Sequence, residues 1–105
     1  MIGEVSTGGA TPLHICGMSQ RAQHSAAHLL AKGADADARD TYGYTPLHRM
    51  ASNNLAEGAR ALIRGGADLH AEAGWMGQSA LDVALSSQAR DVESVLQAAL
   101  AGQTV

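Results

Sequence analysis

The 105-residue sequence predicts an all-α repeat solenoid, a stack of helix–turn–helix units joined by hairpin-like loops. Three phased series of residues predict it. Thr11-Pro12-Leu13-His14 recurs as Thr45-Pro46-Leu47-His48. At the same interval again, Ser79-Ala80-Leu81-Asp82 keeps the hydroxyl and the leucine. Gly33-Ala34-Asp35 recurs as Gly66-Ala67-Asp68, and the two lie equally far behind Thr11 and Thr45 to within one position. Gly9, Gly43 and Gly77 stand two positions ahead of Thr11, Thr45 and Ser79. One period of about 34 residues governing three separate marks points to stacked units rather than to one globular core.

Taken in order, the first unit opens at Thr11-Pro12. Its second stretch is polar (Ser19, Gln20, Arg21, Gln23, His24, Ser25) and leads into an outer helix carrying His24 and His28 before Gly33. The middle unit shows the local chemistry most fully. Thr45 is a good N-cap, and Pro46 suits the first helical position, where a missing N–H costs nothing. The helix runs to about Ser52, and Asn53-Asn54 turns the chain, since Asn tolerates a left-handed conformation. A second helix from about Leu55 places Ala59, Leu62 and Ile63 on one apolar stripe, and Gly65-Gly66 ends it as a left-handed cap. The segment after Ala67 is short, extended and punctuated by Gly, as a hairpin-like loop requires. The third unit starts at Ser79, carries Asp91 near a helix N-terminus where the dipole favours it, and closes at Ala98-Ala99-Leu100-Ala101-Gly102.

These residues resemble ankyrin repeats over roughly Ser6 to Ala99. In the middle unit Asp40, Gly43, Thr45-Pro46-Leu47-His48, Ala51 and Gly66-Ala67-Asp68 all fall where that family's pattern wants them. Tetratricopeptide repeats share the period but have neither the Thr-Pro-Leu-His helix start nor the Gly-Ala-Asp loop. The resemblance implies one domain over residues 1–105, with repeats at about 6–39, 40–72 and 73–102. The first unit carries one extra residue, expected between Met18 and Gln23. Asp37 and His70 stand where ankyrin loops usually carry Asn. The first and third units are expected to act as caps of the stack.

Composition fits this architecture. Ala (21) and Gly (12) make up nearly a third of the chain, whereas Tyr42, Tyr44 and Trp75 are its three aromatics. Apolar volume therefore comes from Leu, Ile, Val and Ala, which suits thin, closely approaching helix layers. No apolar run nears the twenty or so residues of a membrane span, and no basic segment followed by an apolar one marks a signal peptide. One cysteine excludes an internal disulfide framework and any cysteine-rich zinc module. A net charge of −3, with Lys32 and six scattered arginines, argues against nucleic acid. A cytoplasmic or nuclear protein, monomeric by itself and without a cofactor, is the expectation.

No active site is legible. The resemblance gives His14 and His48 structural hydrogen bonds from the helix start to neighbouring loops, and His70 a loop role. His24 and His28, four apart, could hold a metal, but no third ligand is implied near them. Cys16 reads as a packed thiol without a basic neighbour to activate it. Asp35, Asp37 and Asp40 lack the ligand order of a calcium loop and read as solvated or loop-ordering. Gly8-Gly9 is followed by no Gly-Lys-Ser/Thr phosphate cradle.

The resemblance implies that a partner protein meets the loop tips and the concave side of the inner helices. The tip positions are Thr41, Tyr42 and Tyr44, then Trp75, Met76 and Gln78. The variable positions ending the inner helices are Ser52, Asn53, Ser86 and Ser87, with Arg49 on the partner-facing side. Tyr, Trp and Arg dominate binding hot spots, and all three aromatics fall in two successive loops. A loop-to-loop packing role for Tyr42 and Trp75 stays open beside the binding one. Two other functions also stand open: a spacer or self-associating segment, and a metal-binding protein using His24 and His28.

Overall fold

The computed structural model describes residues 12–40, 43–73 and 76–103. Among the described residues six α-helices stack as three pairs: α1 (Pro12–Cys16) with α2 (Ala26–Ala31), α3 (Pro46–Ser52) with α4 (Ala56–Arg64), and α5 (Ala80–Ser86) with α6 (Arg90–Leu100). Helices α1, α3 and α5 form an inner layer, and α2, α4 and α6 an outer one. Among the described residues there is no strand, only an isolated antiparallel bridge between Ala73 and Gln78 that closes the loop before α5. No helix among them is long and apolar enough to cross a membrane.

Helices α3 and α5 cap themselves. Thr45 is extended at the N-cap of α3, its hydroxyl accepts from the His48 N–H, and Pro46 follows. At α5 the same place is held by a capping box. Ser79 Oγ accepts from the Asp82 N–H, and an Asp82 carboxylate oxygen accepts from the Ser79 N–H. Asn54 and Gln88, both at φ +56°, turn the chain into the outer helices. Of the Gly65-Gly66 pair, Gly66 takes the left-handed conformation, at φ +91°.

The outer helices α4 and α6 have Leu55 and Ala89 at their N-caps, side chains with no oxygen to offer. Their orphan donors are satisfied by the preceding pair. Gln23 Oε1 accepts from the Gly58 N–H at 2.9 Å in a buried bond. Asn54 Oδ1 accepts from the N–H groups of Asp91 (3.0 Å) and Val92 (3.2 Å). Helices α4 and α6 therefore start properly only when the preceding pair is folded, which couples adjacent units.

The first pair departs from the expected form. Helix α1 stops at Cys16, and the outer segment opens as a 3-10 turn (Ala22–Ser25) before α2. Ser19 sets this up: its Oγ accepts from the Ala22 N–H at 3.0 Å and its carbonyl from the Gln23 N–H at 3.1 Å. This turn begins within the stretch where the extra residue is expected. It also corrects the placement of His24, which sits in the 3-10 turn while His28 sits in α2, so the two do not share a regular α-helical turn.

The core is a seam of buried leucines (Leu13, Leu47, Leu55, Leu62, Leu96) with Met50 and Val92, spaced by Ala26, Ala51, Ala59, Ala84 and Ala89. No aromatic is among these buried core residues. Small residues set the helix spacing. A Cβ on Gly17 would lie 2.6 Å from Arg49 Cβ, and one on Gly58 would lie 2.6 Å from the Met50 thioether. Cys16 is buried in this seam, where loss of solvation pushes its thiol pKa up.

Candidate functional site: the inner groove

The site is organised by the histidine that ends each helix-start motif. Nε2 of His14 lies 2.6 Å from the Tyr44 carbonyl, and Nε2 of His48 lies 2.8 Å from the Gln78 carbonyl. A carbonyl only accepts, so Nε2 carries the proton in both rings. In His48 this leaves Nδ1 to accept from the Thr45 hydroxyl, 2.7 Å away. Both imidazoles are fully buried, so each ties one unit to the loop of the next. Burial lowers the pKa of His48. The Arg39 and Arg49 charges act in the same direction, while bonds to the Gln78 and Ala71 carbonyls oppose it.

Around that bridge the second loop folds on Asp40. Its backbone N–H donates to the Tyr44 carbonyl (3.0 Å), its Oδ1 accepts from the Tyr44 N–H (3.0 Å), and Gly43 at φ +80° makes the turn. The other carboxylate oxygen accepts from Arg49 Nε (3.1 Å) and Nη2 (2.5 Å). Asp40 is almost wholly covered, with its side chain 2% exposed, whereas Arg49 keeps 26% of its side chain in solvent. The guanidinium carbon of Arg49 sits 4.7 Å from the Tyr44 ring centroid, and the Tyr44 and His48 rings tilt together at 6.0 Å. Arg49 is thus anchored from below by a carboxylate and stacked on an aromatic face, which fixes its direction.

This anchored set opens onto a groove of 250 Å³ between α3 and α5, lined by Tyr44, His48, Arg49, Ser52, Gln78, Val83, Ser86 and Ser87. Six of the expected contact residues, Tyr44, Arg49, Ser52, Gln78, Ser86 and Ser87, therefore meet around one concavity. Ser52, Ser86 and Ser87 are exposed on it, and Gln78 is half-buried. Asn53 does not line this groove; its Nδ2 donates to the Gly17 carbonyl at 2.6 Å and bridges the first two units. Met76 is exposed at the next loop tip. Thr41, Tyr42 and Trp75 lie outside the described residues.

The remaining candidates are ordinary loop chemistry. Asp35 Oδ1 accepts from the Asp37 N–H, Asp37 Oδ1 reaches across to the Asp68 N–H at 2.8 Å, and Asp68 Oδ1 accepts from the His70 N–H. Asp37 thus fills the role expected at its position. Among the described residues the exposed His70 joins the loop through its backbone N–H. Arg39 donates to the Gly43 and Glu72 carbonyls rather than to the neighbouring aspartates. Among the described residues no three His, Cys, Asp or Glu side chains converge as metal ligands.

Sequence reasoning missed Gln23 and Asn54 as cross-unit caps and Gly17 as the close-approach point. An available signal was that Leu55 and Ala89 open helices with no capping oxygen of their own. The profile described as "Ankyrin repeat" matches residues 8–41, and that described as "Ankyrin repeats (many copies)" matches residues 29–84, more than half of the chain. No curated protein matches it. Ankyrin repeats are generally protein–protein interaction modules and typically not enzymes. Helix pairs repeated in register, His-to-loop bridges between them and these two matches lead to one conclusion: the chain belongs to the ankyrin repeat family.

Proposed function

We propose that this chain is a non-catalytic interaction module whose inner groove and loop tips bind a partner protein. One observation carries the reading: Tyr44, Arg49, Ser52, Gln78, Ser86 and Ser87, drawn from two successive units, gather around one open concavity. A rigid aromatic–guanidinium pair beside exposed hydroxyls suits an interface in which a few fixed anchors carry the energy. We read the units at about 6–39, 40–72 and 73–102 as one domain, with Trp75 extending the contact surface. A reducing compartment, cytoplasm or nucleus, suits the free thiol of Cys16.

Arg49 holds a buried carboxylate, so its removal confounds folding with binding. The decisive variant therefore combines Ser52→Arg with Ser86→Arg, two exposed positions that fill the groove. Affinity capture from native lysate with the folded variant is expected to lose the proteins that the wild type retains. An unchanged set of captured proteins refutes the reading.

A second reading, stacking on a further copy, is favoured by the last inner helix. Leu47 and Ala51 are buried under α5, but their counterparts one period on are not. Leu81 is half-buried and Leu85 is 51% exposed. Sedimentation at several concentrations decides between stacking and a monomer.

A further inference from the structure

We propose that copies of this chain associate head to tail, the exposed face of α5 in one copy meeting α1 of the next. Resting on the stacking reading above, this arrangement adds a direction and named residues. The repeat fixes which positions meet, because each inner helix turns one face forward and one back. The forward positions Leu13 and Gly17 of α1 recur as Leu47 and Ala51, then as Leu81 and Leu85. The backward position Ile15 recurs as Arg49 and Val83. A Cβ on Gly17 would meet Arg49, and Leu47, Ala51 and Val83 are buried. The outermost members of both series stay open. Leu85 is 51% exposed at the tail, and Ile15 is 45% exposed at the head. Met18, whose N–H donates to the Ile15 carbonyl, is exposed beside it. Continuing the period from copy to copy sets Ile15 over Leu85 and covers both ends at once.

Charge sets the direction. Residues 6–39 carry Arg21, Lys32 and Arg39 against Asp35 and Asp37, a balance of +1. Residues 73–102 carry Asp82, Asp91 and Glu93 against Arg90, a balance of −2. Head-to-tail contact joins opposite charges, whereas tail-to-tail contact joins like ones. The outer layer agrees with this. Glu93 and Gln97, joined by a hydrogen bond of 3.2 Å, stand one period after Ala59 and Ile63. Within the chain Leu30 lies against Gly65. The same step carries Gln97, with Glu93 beside it, to the exposed Lys32 of the next copy.

Two features make this contact weaker than those inside the chain. Leu85 is larger than Gly17 or Ala51, so it holds the two copies farther apart than successive units. Asp82 takes the place of His14 and His48 and is engaged in the capping box with Ser79, so no histidine bridge leads onward. The association is therefore reversible. A heterologous contact leaves a head and a tail free after each addition, so copies accumulate as concentration rises.

The test is complementation between two blocked forms of the full chain, followed by sedimentation up to about 1 mM. Wild type is expected to show an average mass that keeps rising past that of a dimer. Ile15→Glu blocks the head and Leu85→Glu the tail, the like charges keeping two blocked ends from pairing with each other. Both positions are exposed, circular dichroism checks that each variant folds, and Met18→Glu serves as a second head block. Each variant alone should self-associate about tenfold or more weakly than wild type. Mixed in equal amounts, they should form a one-to-one pair through the one free tail and the one free head, and grow no further. Self-association of either blocked variant at wild-type strength, or a mixture that forms no pair while wild type associates, overturns the head-to-tail contact. Either result leaves the stacking reading standing in another geometry. A wild type that stays monomeric throughout refutes both, and none of these outcomes touches the inner-groove reading.

Discussion

Gln23→Met tests whether the outer helices depend on their neighbours for capping. Gln23 is 8% exposed, and its Oε1 accepts the Gly58 N–H, the third amide of α4, in a buried bond of 2.9 Å. Met has nearly the same length and no acceptor, so the substitution leaves a backbone donor buried and unpaired. That costs about 1–3 kcal/mol, and better apolar burial of the thioether offsets up to about 1 kcal/mol. A net loss of about 1–2 kcal/mol in a domain of this size lowers Tm by roughly 5–15 °C. Thermal and urea melts followed by circular dichroism measure the loss, and hydrogen exchange at the Gly58 amide locates it. Gln23→Glu keeps an acceptor and adds a charge favoured at a helix N-terminus, so at neutral pH it should stay close to wild type. A Gln23→Met protein as stable as wild type, with unchanged protection at Gly58, would refute cross-unit capping.

Three further outcomes follow from the same geometry. Asn54→Gly keeps the φ of +56° without strain but removes the acceptor for Asp91 and Val92. It should cost about 1 kcal/mol and speed exchange at those two amides, and Asn54→Ala should cost about 1 kcal/mol more. Gly17→Ala drives a Cβ to within 2.6 Å of Arg49 Cβ. As α1 and α3 separate, it should cost about 1–3 kcal/mol, read from urea melts. His48, whose pKa burial holds below 6.5 when folded, adds stability that is present above that value. As pH falls, the unfolded chain takes up the proton first, and the contribution is lost down to the folded pKa. Urea midpoints between neutral pH and about pH 5 should therefore fall more for the wild type than for His48→Gln.

Much of this protein is legible in its sequence because repetition supplies its own alignment. The helix starts at Pro46 and Ala80 and the left-handed Asn54 and Gly66 follow from local rules of capping and turn formation, whereas the bridging histidines were implied by the family resemblance. Those rules act within a few residues, so reading the middle unit amounts to reading much of the third, while the first departs from both. The groove was legible only in part. Ser52, Ser86 and Gln78 could be placed from the period, but the grip of Asp40 on Arg49 depends on how the loop folds back over α3.

By itself, the sequence determined the repeat, the helix order and a core built mainly from Leu, Val and Ala, since each follows from spacing and composition. The tertiary structure decided what crosses between units. It set Gln23 on Gly58, Asn54 on α6, Asn53 on Gly17 and Asp37 on Asp68. Each of these bonds joins residues far apart in the chain, where no local propensity acts and only the distance between packed helices decides which polar atoms meet.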